Sequence, residues 1–455
     1  MTVRLTWVQP EDLVGHELRQ AAQDGRDATD VERRWYAAGG SPAPERAGAS
    51  VPAAPRRLRV LAGQLLDELA LRESPLAHDE PTELSAIRAS CPRWPAPRAR
   101  PVATGPDRLH AAWLGRAAGC LLGKPVEKLP LAGIRALARA TGNWPLTTWF
   151  TARGVPPALA AAHPWNRRSA ATSLAENIDG MPEDDDLDHA LLTVLLLQRH
   201  GRGFSTSDLA GLWLDELPAG RVFTAERVAY RNLLDGVEPP DTARHRNPFR
   251  EWIGARIRAD VHGWVHPGDP GAAAEQAHRD AVLTHTANGV YGAMFTAAAL
   301  AEAAGGETDV HGCLAAGLRV VPPRSRYAHA VRLGIGTARA EPDFDTVVDR
   351  LHAVYGPTHH WVHVLPNTAL LAAALTHADG DFGRSVCLAV SGGWDTDSNG
   401  ATAGSLAGLL AGRASALPGH WTAPLKNRLA TSVSGFDAIG FDTLAELTHQ
   451  EVRRP

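Results

Sequence analysis

Two short acidic runs hold the residue types in this chain best suited to chemistry. Glu183-Asp184-Asp185-Asp186 precedes LDHALLTVLLLQRHG, and Asp395-Thr396-Asp397-Ser398 lies inside SGGWDTDSNGATAGSLAGLLAG. Carboxylates brought together repel one another. At about 4 Å and an effective dielectric near 20, each like-charge pair costs roughly 4 kcal/mol. A fold that gathers such runs needs a counter-cation or bound protons. Hard oxygen ligands of this kind suit magnesium, calcium or manganese better than zinc.

Each run also has a plainer reading. Acids in a first helical turn complement the helix dipole. Met181-Pro182 before the first run and Gly201 after its apolar stretch frame an ordinary helix. Four consecutive acids, with Asp188 following, exceed what capping needs. In the second run, Gly392-Gly393 allow close backbone approach or positive φ, and Ser398 or Asp397 can cap the next helix. Gly400, Gly404 and Gly408 repeat at i,i+4 and give that helix a smooth face for a partner. The glycine face reads as structural, the D-x-D ahead of it as functional. Two further segments matter. AAWLGRAAGCLLGKPVEKLP predicts a small-residue helix over 111–122, stopped by Gly123 and Pro125, with Glu127 in the loop beyond. LTHTANGVYGAMFTAAALAEA places His285, Thr286 and Asn288 at the entry to an apolar helix. A lone loop Glu is usually solvated, and a lone His there is more often a cap or a satisfied core residue.

The elements that must position these groups are helical. Apolar runs at helical spacing cover 107–122, 187–200, 289–304, 368–377, 383–391 and 399–412. Alternating β-branched patterns are scarce, with WVHVL a short exception, so the main domain is predicted to be predominantly α-helical. No fixed-period repeat is visible. Residues 1–75 read as polar helices. HELRQAAQDGRDATDVERRWYAAGG ends on Gly-Gly, SPAPERAGASVPAAP reads as a linker, and RRLRVLAGQLLDELALRES resumes helical spacing. PRWPAPRARPVATGP (92–106) is too Pro-rich for a helix interior and predicts an extended connection. The expected division is an N-terminal helical appendage and linker over 1–106 and a catalytic domain over 107–455.

Composition narrows the partners. With 455 residues and 44% hydrophobic content, the chain can bury a large core. A net charge of -4 gives no bulk attraction to nucleic acid or to an anionic membrane, so neither is expected as a partner. Cys91, Cys120, Cys313 and Cys387 are widely spaced and read as reduced, buried thiols. The first twenty residues lack the apolar centre of a secretory signal, and the Ala/Leu-rich stretches are interrupted by Gly, His and charges. A cytoplasmic protein is the expectation.

Four segments, in this order, resemble the ADP-ribosylglycohydrolases: GRAAGCLLGKPVE, EDDDLDHALL, THTANGVYGAMFTAAA and GGWDTDSNGATAGSLAG. The likeness spans roughly 108–412, and the last segment is the most specific. The resemblance implies an all-α orthogonal helical bundle with a central dinuclear metal cleft holding two magnesium ions, with manganese a possible substitute. The family's usual Thr-Asp-Asp-Thr falls on Glu183, Asp184, Asp185 and Asp186. Its Asp-x-Asp-Thr/Ser falls on Asp395, Asp397 and Ser398. The implied metal set is therefore Glu183, Asp184, Asp185, Asp395, Asp397 and Ser398. Glu127 corresponds to a loop Glu that contacts the metal-bound water or substrate in some members.

Glu183 and Asp186 depart from the family pattern by placing acids where it has hydroxyls. Extra acids there tighten metal binding, shift metal preference, or hold a proton. The expected activity is hydrolysis of a glycosidic bond at the anomeric carbon of an ADP-ribosyl or related ribosyl group. Glu127, Glu183 and Asp186 are the candidates for proton transfer. His285, Asn288, Gly392 and Gly393 are the expected substrate contacts. The substrate class stays open between ADP-ribosylated protein and a small nucleotide-like metabolite. A non-catalytic role, like that of the family's lens crystallin, is the rival of a different class.

Overall fold

The structure is a computed structural model that describes residues 4–43, 49–50, 52–97, 102 and 104–454. Its architecture is all-α: 62% of the chain is helical, in 23 α-helices among the described residues. The only β pairing among those residues is three isolated bridges. One of them, Trp252 with His363, involves the WVHVL piece. Val364 there already begins a helix, Val364–Ala378, so the expected strand is a single bridge before a buried helix.

The helices expected from apolar spacing form as Pro106–Gly123, Asp185–His200, Ala287–Gly305, Val364–Ala378, Phe382–Ser391 and Thr396–Ala411. Most of these are apolar on nearly every face, and their residues are buried almost throughout, as suits helices at the centre of a bundle.

One packing contact organises the site. Helix Pro106–Gly123 runs antiparallel to Thr396–Ala411, with Gly115 against Gly404, Gly119 against Gly400, and Gly123 against the Thr396–Asp397 backbone. A Cβ added to any of these glycines would overlap the facing carbonyl oxygen. The smooth face of Gly400, Gly404 and Gly408 thus meets a partner that is equally smooth, and the two backbones touch. Because the seam is antiparallel, the end of the first helix meets the beginning of the second. That junction brings Lys124–Glu127 beside Asp395–Ser398.

The N-terminal segment is broken more finely than its composition predicts. Helix Pro10–Asp24 stops at Gly25, whose φ of 79° is left-handed, and Thr29–Ala37 follows. Helix Arg56–Ala70 comes next. Their apolar faces share a core with the main chain: Trp7, Leu13, Trp35, Leu65 and Leu69 cluster with Phe249, Trp252, Ile257 and Val362. Buried ion pairs join the same surfaces. Glu17 pairs with Arg250 at 2.8 Å, and Glu80 pairs with Arg326 at 2.6 Å. Parts of the two expected linkers, residues 44–48, 51, 98–101 and 103, lie outside the described residues. All four cysteines are free and buried. Among the described residues, no helix is long and apolar enough to cross a membrane.

Candidate metal centre

Two groups of donors converge at the glycine seam. Ligand atoms of Glu127, Asp395 and Asp397 lie within 4.8 Å of one another, and so do those of Cys120, Asp184 and Asp186. Ser398, next to Asp397 in the chain, bridges the two sides: its Oγ donates to Asp186 Oδ2 at 3.2 Å.

The early run opens a helix as its capping chemistry predicts. Asp184 is the N-cap of Asp185–His200 and accepts from the Asp186 amide at 2.9 Å. Capping occupies one Asp184 oxygen; the other pairs with Lys124 Nζ. Asp185 is half-buried, and Asp186 is buried. Buried Arg116 donates to the Asp186 carbonyl oxygen at 2.6 Å and to its carboxylate at 3.3 Å, and it pairs with Asp260 at 2.9 Å. Glu183 sits at the rim, half-buried, with Arg221 at 2.9 Å.

The late run behaves differently from its expected capping. The N-cap of Thr396–Ala411 is Asp395, not Asp397 or Ser398, and its carboxyl makes no cap bond. The Asp395 amide donates to Asn367 Oδ1 at 3.1 Å, and the Asn399 side chain donates to the same oxygen at 2.8 Å. Asn367 therefore fixes the loop and leaves both aspartate carboxyls facing inward. Glu127 is held from two sides, by Asn166 Nδ2 at 2.6 Å and Lys128 Nζ at 2.8 Å.

The electrostatics follow from this crowding. Burial, followed by the charge of Asp184, pushes Asp185 and Asp186 well above the ordinary carboxylate range. Burial and then Asp397 do the same to Asp395. Burial and then Glu127 raise Asp397. Carboxyls crowded in this way are relieved by a bound proton or by a cation. A donor set of carboxylate oxygens suits magnesium or manganese. The residues present therefore fit an oxygen-liganded ion.

The other expected site residues are placed as follows. Gly392 approaches Leu370 so closely that a Cβ would collide with it, and its carbonyl accepts from His352 Nε2 at 2.8 Å. Gly393 adopts φ 78°. Between this pair and Asp395, Trp394 stacks on His352 with ring centroids 4.0 Å apart. His285 is fully buried, bonded to Thr284 at 2.6 Å and 3.9 Å from Glu226. Asn288 is also fully buried. It donates to Glu80 at 2.8 Å and accepts from the Tyr327 amide at 2.9 Å. The side chains of His285 and Asn288 thus have protein partners away from the acidic groups.

Cys120, Lys124, Arg116 and Asn166 touch the site but were not singled out from sequence. For three of them a signal existed. Residues 116, 120, 124 and 127 recur at i, i+4, i+8 and i+11, which places them on one helical face. Asn166 had none, since it comes from a distant loop.

A sequence profile of the ADP-ribosylglycohydrolase family matches residues 101–453. No curated protein matches the chain. Among solved structures, one described as an ADP-ribosylglycohydrolase-related protein complex is similar at 22% identity and a TM-score of 0.45, covering 76% of this chain and 97% of that one. With the profile spanning most of the chain, including both acidic runs and the glycine seam, this protein belongs to the ADP-ribosylglycohydrolase family.

Proposed function

We propose that the chain is a magnesium-dependent hydrolase of a glycosidic bond at the anomeric carbon of an ADP-ribosyl or related ribosyl group. One observation carries this reading: Glu127, Asp395 and Asp397 converge to within 4.8 Å beside a second group formed by Cys120, Asp184 and Asp186. A helix cap or a solvated face would not gather so many carboxyls, most of them buried.

Asp395 and Asp397 are the residues to hold the cation, and manganese would serve in the same oxygen set. When bound, the cation would supply Lewis-acid polarisation and orient the substrate's hydroxyls. The remaining roles fall to the chain. Glu127, held by Asn166 and Lys128, is aimed to accept a proton from the attacking water. Glu183 at the rim is the better candidate for donating a proton to the leaving group. Burial and then Asp188 raise its pKa, and it sits nearer to solvent than Asp186. Asp186 is committed to Arg116 and Ser398, so it fits a positioning role. The buried partners of His285 and Asn288 leave them out of this proposal as substrate contacts, whereas the Gly392-Gly393 turn stays in it by setting Trp394 beside the centre.

The test is turnover of ADP-ribosylated protein, O-acetyl-ADP-ribose and NAD-derived metabolites, each with and without magnesium. Magnesium-dependent release of a free ribosyl product from any of them is the expected result. Failure on the whole panel, with the protein folded, would favour a non-catalytic role.

A further inference from the structure

Lys124 changes what the Asp184 side of the centre can accept. Its ammonium is buried, pairs with Asp184 Oδ2, and donates to the Glu183 carbonyl at 3.2 Å. Cys120, Asp184 and Asp186 form the donor group on that side, and Lys124 lies one helical turn beyond Cys120 on the same face. The ammonium therefore stands at the oxygens that a cation there would use. Asp186, the third member, is engaged by Arg116 and Ser398.

The other donor group lacks such an occupant. Among the described residues, no ammonium or guanidinium pairs with Asp395 or Asp397. Lys128 pairs with Glu127 Oε1 and lies over the Trp361 ring. The ligand atoms of Asp395 and Asp397 stand within 4.8 Å of each other and of Glu127. One side of the junction carries its own fixed cation, and the other side asks for one.

We propose that this centre takes a single divalent cation, held by Asp395 and Asp397 on the Glu127 side, and that the Lys124 ammonium is the resident cation of the Asp184 side. The proposal rests on the metal-dependent reading above and reduces to one the pair of ions that the family resemblance implies. A second ion would have to displace a buried ammonium and leave it unmatched beside a divalent charge. Lys124 then does for the substrate what a second ion would do by charge alone, presenting a positive group with hydrogen-bond donors instead of open coordination sites.

The experiment counts Mn2+ bound per chain on the full-length protein, by equilibrium dialysis with electron paramagnetic resonance. Wild type is expected to bind one Mn2+ with the spectrum of an isolated ion. Lys124→Met is expected to gain a second. Asp395→Asn should lose the ion, and Asp184→Asn should keep it. Circular dichroism checks each fold; if Lys124→Met does not fold, Lys124→Gln is read in its place, and the wild-type count with the two aspartate variants decides. Two ions on wild type, one ion on a folded Lys124 variant, or an ion lost with Asp184→Asn but kept with Asp395→Asn would overturn the proposal. No Mn2+ on any of the proteins would overturn the metal reading itself and this proposal with it.

Discussion

Thr396 Oγ1 donates to the carbonyl oxygen of Gly123 at 2.8 Å, across a seam where a Cβ on Gly123 would overlap the Thr396 backbone. Two residues 273 positions apart in sequence are thus locked at backbone distance. Glu127 lies one turn beyond the first, and Asp395 and Asp397 flank the second. The convergence of the acidic groups depends on this lock.

Filling the seam should therefore damage fold and site together. Gly119→Val and Gly400→Val each place a side chain against a facing carbonyl. Overpacking of this kind costs about 1–3 kcal/mol, and more where backbone must move. Thermal denaturation should show a lower Tm for both, with turnover falling alongside. An unchanged Tm in either would mean that the helices separate freely.

Asp395→Asn and Asp397→Asn should abolish turnover and divalent-ion binding while the metal-free Tm holds or rises. Each change removes a buried like charge, and the Asp395 amide bond to Asn367 does not involve the substituted carboxyl. Calorimetric titration with magnesium and a thermal scan measure the two effects separately. Near-normal magnesium-dependent activity in both variants would contradict the metal role.

The two acids that depart from the family pattern should behave differently. Asp186→Thr leaves buried Arg116 with one carboxylate partner fewer and removes the bond from Ser398. Breaking a buried pair from one side costs about 3–5 kcal/mol, less here because Asp260 remains. Glu183→Thr loses only a rim contact with the exposed Arg221, so its stability cost should be under about 1 kcal/mol. Its effect belongs in the pH–rate profile, where loss of a general acid removes the high-pH limb. Equal Tm losses in the two variants would refute this separation.

Arg250→Met should destabilise the whole chain, because Glu17 and Asp24 lose a shared buried partner that joins the N-terminal helices to the main bundle. The expected loss is less than the about 3–5 kcal/mol of a pair left without a partner, because Arg26 still pairs with both carboxylates. A single cooperative transition at lower denaturant is the predicted readout. A separate early transition for the N-terminal helices would instead mark them as an independent unit.

His189 should contribute a pH-dependent share of stability. Burial, then the charge of Arg258, lowers its pKa from 6.5 to about 3. Below pH 6.5 the unfolded chain takes up a proton that the folded chain refuses. Stability from this group is therefore complete above pH 6.5 and is lost as pH falls toward 3, by several kcal/mol in all. His189→Leu should flatten the stability–pH curve across that window. Parallel wild-type and variant curves would show that the imidazole is not the cause.

Sequence alone determined the helical class, the main helices, and the two acidic runs, because each depends on local spacing. Apolar periodicity sets a helix wherever it packs. Four consecutive acids are anomalous in any context, and glycines at i,i+4 announce a close partner without naming it. What tertiary structure decided is which groups meet. Only the antiparallel Gly119–Gly400 seam selects the partner of the smooth face and places Lys124 against Asp184. Only three-dimensional packing makes Asp395, not Asp397 or Ser398, the N-cap, since the distant Asn367 holds that loop. The same packing gives His285 and Asn288 buried partners, with Asn288 bonded to Glu80 from the N-terminal segment, a pairing across 208 positions that no local pattern encodes. Side-chain chemistry is written residue by residue, whereas the charge environment that tunes it is a sum over neighbours that only the folded chain brings within range.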